Sequence, residues 1–236
     1  MTRLLYREDA YRREAPGRVE DITPEGAIRL EASLFYPAGG GQPGDSGWLD
    51  WEGGRIAIAT AVRDEAGVLL LPAVPGRGPG PGAAVVQHLD WARRWGHMRV
   101  HTALHLLSVV LPFPVTGGAI AADRGRLDFD MPEPPEAEAV NAALAALVSA
   151  DLPVTEEWVA EEVLEADPGL VKTVSVRPPR GEGRVRLIRI GPAERTVDLQ
   201  PCGGTHVSRT GEVGAIALGK TEKKGRMNRR VGLVLL

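Results

Sequence analysis

At residue 90 the chain stops reading as strands and begins to read as helix, and that change sets its architecture. Before it, short apolar runs are separated by turn residues. AIRLEASLFYP (27–37) follows the turn-like TPEG, and RIAIATAV (55–62) alternates with period two. RDEAG then reverses the chain into VLLLPAV (68–74), and AAVVQHL (83–89) adds one more run. Strands this short, punctuated this regularly, predict a small antiparallel barrel. After it, WARRWGHMRVHTALHLLSVVL (91–111) runs without proline and places Val100, Leu104, Leu107 and Leu111 on one stripe, so a helix is expected. Pro112 and Pro114 stop it.

The rest mixes both periods. RLDFDMP (126–132) reads as a strand, and PPEAEAVNAALAALVSA (134–150) as a helix with prolines and acidic residues at its start. LPVTEEWV (152–159) is a strand candidate and AEEVLEAD (160–167) a short helix. KTVSVRPP (172–179), RVRLIRIG (184–191), RTVDLQ (195–200), GEVGAIALGKTEKKG (211–225) and NRRVGLVLL (228–236) read as strands. The expected fold is α+β: a β-barrel domain over 1–90, then an α+β domain over 91–236 with a largely antiparallel sheet.

Composition excludes several classes. One cysteine permits no disulfide framework. No apolar run approaches the roughly 18–20 residues that span a bilayer, and the N-terminus MTRLLYREDAYRREA lacks a signal-peptide core. A cytoplasmic protein without membrane contact is expected. The net charge of −3 is unevenly distributed: residues 133–167 hold ten acidic residues and no Lys or Arg, whereas 168–236 hold fourteen Lys/Arg against five Asp/Glu. A basic third of this kind is the footprint of a polyanion contact, with a solvated basic surface as the plainer alternative.

The lone cysteine stands in DLQPCGGTH (198–206), four residues before His206. His101 and His105 have the same spacing in HTALH, which on a helix puts both imidazoles on one face. The four together are an N/S donor set suited to tetrahedral zinc; either pair alone is more often ordinary. His97 lies one turn earlier, too far along the helix for all three histidines to share an ion, and is read as supporting or surface. His88 is read as structural. Thr102 stands where a HExxH peptidase carries its glutamate, which counts against that chemistry.

Taken in order, FYPAGGGQPGDSG (35–47), HTALHLL (101–107), RLDFD (126–130), CGGTHVSRTGEVGAIAL (202–218) and KGRMNRRVGLVLL (224–236) resemble the editing domain of alanyl-tRNA synthetases and the freestanding AlaX-type editing proteins. The resemblance runs from about residue 30 to the end. Leu104 departs from it, since synthetase versions often carry a second threonine there. The resemblance implies hydrolysis, in trans, of tRNA(Ala) mischarged with serine or glycine, with Zn2+ on His101, His105, Cys202 and His206. Alternatives are a zinc-containing tRNA-binding module without hydrolysis, editing of another mischarged aminoacyl-tRNA, or a zinc hydrolase of small esters.

Alanine is smaller than serine, so sterics cannot reject it; a site that hydrogen-bonds the serine hydroxyl can. Thr116, in PVTGGAI, is the candidate reader, with a turn residue before Gly117-Gly118 as the alternative; Gln42 is the second if its loop reaches the pocket. Gly40, Gly41 and Asp45 are candidates for substrate or RNA binding in that loop, with a tight barrel turn, and for Asp45 a turn cap, as the alternative. Gly203, Gly204 and Thr205 shape the ligand loop and let RNA backbone approach. Lys220, Lys223, Lys224, Arg226, Arg229 and Arg230 are candidates for acceptor-stem phosphates.

Overall fold

The computed structural model describes residues 2–74, 76, 78–166, 169, 171 and 183–236; the strand expected over 172–179 lies outside the described residues. The chain separates into two compact units, Met1–Trp95 and Gly96–Leu236.

The first unit opens with β1 (Arg3–Leu4) and α1 (Leu5–Glu8), then β2 (Glu14–Ile22), β3 (Ile28–Leu30), β4 (Ala32–Ser33), β5 (Gly47–Trp51), β6 (Gly54–Asp64), β7 (Gly67–Pro72) and β8 (Ala84–Leu89). Six of these close a barrel in the order β2-β3-β7-β6-β5-β8, every pair antiparallel. The run at 27–37 is therefore not one strand but two short ones. Inward residues follow the pleat: Ile56 and Ile58 on β6 are buried, and a bulge then shifts the inward position to Ala61. With Val19, Ile28, Leu30, Leu49, Val68, Leu70 and Val85 they fill the barrel.

GGGQ (39–42) is a hairpin turn. Gly40 and Gly41 have φ of 57° and 85°, and Gly39 and Gln42 exchange backbone hydrogen bonds of 3.0 and 2.9 Å. Two successive left-handed residues favour glycine for steric reasons.

Beneath it lies a buried polar knot. The Arg94 Nε donates to both Asp45 carboxylate oxygens at 3.0 Å, and its remaining nitrogens reach Asp45 again and the carbonyls of Ala10 (2.9 Å) and Leu34 (3.0 Å). Asp45 also accepts from the Tyr36 N–H at 2.6 Å.

α2 runs Trp91–Val110. In the second unit follow β9 (Val115–Ile120), β10 (Arg124–Asp130), α3 (Ala137–Ser149), β11 (Val154–Ala160), α4 (Glu161–Ala166), β12 (Arg184–Ile190), β13 (Asp198–Pro201), β14 (Ile216–Lys223) and β15 (Asn228–Leu235). They form two antiparallel sheets, β14-β15-β10-β9 and β11-β12-β13. The α+β expectation holds, and Thr116, Gly117 and Gly118 lie on strand β9 rather than in a turn.

The apolar stripe of α2 is buried as its spacing predicts, at Val100, Leu104, Leu107 and Leu111. Glycine sets how closely the helix lies on the β9–β10 hairpin. A Cβ on Gly125 would come within 2.6 Å of Val100 Cγ1 and 3.0 Å of Leu104 Cδ1, and one on Gly96 within 2.2 Å of the Ala122 carbonyl. At α3, the Glu136 carboxylate caps the first turn, accepting from the N–H groups of Glu138 (3.1 Å) and Ala139 (2.6 Å).

The charge asymmetry has a partly internal purpose. Pairing of β11 with β12 brings the acidic stretch against the basic one: Glu156 meets Arg186, and Glu157 meets Arg189 at 2.7 Å. Asp151 likewise binds Arg209 at 2.7 Å. These arginines serve the fold, which narrows the basic surface open to a polyanion.

Candidate metal centre

His101 and His105 leave the same face of α2, and Cys202 and His206 stand on the loop after β13. One ligand atom from each of the four lies within 4.8 Å of all the others. Cys202 Sγ is 3.3 Å from His101 Nε2 and 3.3 Å from His206 Nε2. The ring centroids are 4.3 Å apart for His101–His206, 4.6 Å for His105–His206 and 5.3 Å for His101–His105. His97 is outside this cluster and is buried at 1% exposure, so a surface role does not apply.

Neighbours fix which nitrogen each ring presents. His105 Nδ1–H donates to Asp198 Oδ2 at 3.0 Å, leaving Nε2 for the cluster. The Gln200 amide lies 3.1 Å from the same Nδ1, but two donors cannot bond, and its hydrogens go instead to Asp198 Oδ2 (2.8 Å) and Ser108 Oγ (3.3 Å). His206 Nδ1 meets the Thr102 hydroxyl oxygen at 3.1 Å, which also accepts the Val207 N–H at 3.3 Å. His206 therefore also turns Nε2 inward. Arg186 holds the loop itself, donating to the carbonyls of Cys202 (3.1 Å) and Gly204 (2.8 Å). The Gly204 N–H points at Cys202 Sγ, 3.4 Å away.

The electrostatics match. Burial works against a thiolate, but His101 and His206 outweigh it and pull the Cys202 thiol well below its ordinary value. Burial and the neighbouring His101 push His206 down to about 3, against the pull of Cys202, so this ring is neutral. Burial also opposes charge on His105, yet Asp198 and Cys202 raise it to about 9. A low-lying thiol, the neutral His206 and a His105 that retains a proton between Asp198 and Cys202 form a cluster that draws positive charge inward. A borderline-soft dication satisfies it: these are zinc's usual donor types at tetrahedral number, and binding would displace the inward proton.

Ser108, Asp198, Gln200 and Arg186 were not singled out by sequence reasoning, and Thr102 only as a departure from HExxH. A signal was present for two of them: Asp198, Gln200 and Cys202 alternate with period two, so a short strand ending at the cysteine aligns them on one face.

The other expected site residues are more scattered. Gly40, Gly41, Gln42 and Asp45 belong to the first unit; Gln42 is buried at 2% and Asp45 at 1%. Asp45 is committed to Arg94. Thr116 sits on β9, its hydroxyl donating to the Asp128 carbonyl at 3.1 Å and accepting from Asn228 Nδ2 at 2.9 Å. Thr205 and Gly204 are buried, while Gly203 is exposed with open space where a Cβ would stand. Lys220, Lys223, Lys224 and Arg226 are exposed, with Lys220 and Lys224 both on Glu222 at 2.8 and 2.7 Å. Arg230 makes two 2.8 Å bonds to Asp128, and Arg229 is buried, donating to carbonyls at Pro132, Gly225 and Asn228. Arg229 thus closes the β14–β15 turn.

A closed-barrel unit and a two-sheet unit that carries a His/Cys cluster are what comparison with known proteins must account for. Residues 185–231 match the family described as the threonyl and alanyl tRNA synthetase second additional domain. The chain is 36% identical over 232 residues to an alanine–tRNA ligase of Pyrobaculum neutrophilum, covering 94% of this chain and 25% of that protein. It thus spans about a quarter of the length of the ligases it matches. It is 31% identical over 252 residues to the alanyl-tRNA editing protein AlaX-M of Methanosarcina acetivorans, covering 100% of both, and 32% identical to AlaX-M of Methanosarcina mazei, covering 97% of that protein. The chain belongs to the AlaX-type alanyl-tRNA editing protein family. Among the described residues, no helix is long and apolar enough to cross a membrane.

Proposed function

We propose that the protein is an aminoacyl-tRNA hydrolase that cleaves the ester of mischarged tRNA(Ala), chiefly seryl-tRNA(Ala) and also glycyl-tRNA(Ala), with zinc on His101, His105, Cys202 and His206. The observation that carries this reading is the convergence of those four donors within 4.8 Å, in a chain that matches editing proteins end to end. A zinc ion held there would polarise the scissile ester where its coordination expands or a ligand is displaced, and would otherwise orient the amino acid for attack by a separate water. The chain's own residues do the remainder. Asp198 and Thr102 hold the ligand rings in place. Arg186 fixes the Cys202–Gly204 loop, whose exposed Gly203 leaves room for the RNA backbone.

Thr116 is the proposed reader of the serine hydroxyl. Its own hydroxyl is oriented by Asp128 and Asn228, and a held hydroxyl rewards a substrate that can hydrogen-bond over one that cannot. Gln42, on its tight turn, is the second proposed reader, with Gly40, Gly41 and Asp45 shaping and anchoring that turn. Lys220, Lys223, Lys224 and Arg226 form the proposed phosphate contact. The exposed pairs on Glu222 are weak enough for phosphate to compete. Arg230 at the edge of this group is restrained by Asp128.

The test is release of free amino acid from seryl-, glycyl- and alanyl-tRNA(Ala), beside small serine esters without tRNA. Rapid loss of serine with alanine spared is the expected outcome. Activity on small esters alone refutes the tRNA reading, and tRNA binding without release of any amino acid favours a binding module.

A further inference from the structure

We propose that Asp198 is the charge-balancing and positioning residue of the metal centre, making the buried cluster electrically neutral around a dication. This rests on the metal-binding reading above. A dication among three neutral imidazoles and one thiolate carries a net charge of +1. Leaving such a charge uncompensated in a buried site is costly. Asp198 is 2% exposed, and its carboxylate brings the sum to zero. The other nearby ions are already balanced: Arg186, which holds the cysteine loop, is paired with Glu156.

The carboxylate is built into place. The Gln200 amide donates to Asp198 Oδ2 at 2.8 Å, and Ser108 Oγ, 3.3 Å from that amide, donates in turn to the His105 carbonyl at 2.8 Å. All are buried. Asp198 accepts the Nδ1 proton of His105, so this ring can offer only Nε2 to an ion, and its donor strength rises. His206 has the neutral Thr102 hydroxyl in the equivalent place. The two imidazoles are therefore unequal, with His105 the anchored and more strongly donating ligand.

The arrangement also offers a rescue. Gln200 Nε2 lies 3.1 Å from His105 Nδ1, so a carboxylate at position 200 stands within reach of the same ring nitrogen. The experiment measures zinc affinity of the full chain by competition with a chromophoric chelator, with cobalt(II) absorption reporting the ligand set. Asp198→Asn keeps the side-chain shape and removes the charge; zinc affinity is expected to fall by about 10- to 100-fold. Adding Gln200→Glu to that variant is expected to restore affinity to within a few-fold of the parent, with a parent-like cobalt spectrum. Asp198→Asn binding zinc as tightly as the parent, or a double variant no tighter than the single one, overturns the proposal. If Asp198→Asn alone does not fold, the double variant's affinity decides in the same way. A parent protein that binds neither metal refutes instead the metal reading on which this rests.

Discussion

The two units each bury a knot of charged and polar side chains, and the knots are wired differently. In the barrel unit Arg94 donates to Asp45, Ala10 and Leu34, and Gln87 uses both ends of its amide on Leu34, Ala32 and Pro16. Such a set is complete and rigid. In the second unit, Cys202 Sγ faces two imidazole Nε2 atoms at 3.3 Å, and one ligand atom from each of four side chains converges on a common point. The outer nitrogens of His105 and His206 are already engaged. Burial and polarity are common to both knots; the first pairs its donors with acceptors, whereas the second brings together four ligand atoms that could hold a metal ion.

That comparison is broken most sharply at Cys202. Cys202→Ala is expected to remove stoichiometric zinc and lower seryl-tRNA(Ala) hydrolysis by about 100-fold or more, while melting of the barrel unit is unchanged; metal analysis and single-turnover rates check this. Arg94→Met is the converse. It strands a buried carboxylate and is expected to destabilise the barrel unit by about 3–5 kcal/mol in denaturant titration, with zinc content retained.

Gly125→Val probes the link between packing and site. Its Cβ would press on Val100 and Leu104, the α2 residues that immediately precede His101 and His105. A loss of about 1–3 kcal/mol is expected, with zinc affinity weakened as the helix shifts, in contrast to Arg94→Met. The smallest effect is on the barrel wall. Arg29, hydrogen-bonded to Asp64, holds that carboxylate down to about 2 against an ordinary 3.8. Being depressed, it contributes stability that is present above pH 4 and lost as pH falls toward 2. Solvent screening at this partly exposed pair limits the contribution to about 1 kcal/mol. Acid titration of Arg29→Met should show a shallower loss over that window.

The sequence made the ligand set legible because helical and loop spacing of four both bring side chains to one side, and because the barrel strands announce themselves by alternation and turn residues. It did not reveal the support behind the ligands. Asp198 and Gln200 look like ordinary polar residues of a short strand until pairing with β12 buries them. It also misread Arg229, whose charge looks like its neighbours' until the hairpin closes over it. The two glycines after Thr116 favour a turn there, the plainer alternative for that residue. The flanking strand β10 overrides that local preference, and Gly117 and Gly118 pair with Asp128 and Leu127.

Whether the four converging donors hold a zinc ion that hydrolysis needs is decided by stripping the protein with a chelator and adding zinc back stepwise while following seryl-tRNA(Ala) hydrolysis. A rate that rises linearly and saturates at one zinc per chain is the predicted result. Full activity in the stripped protein, or no activity at any zinc level, would contradict it.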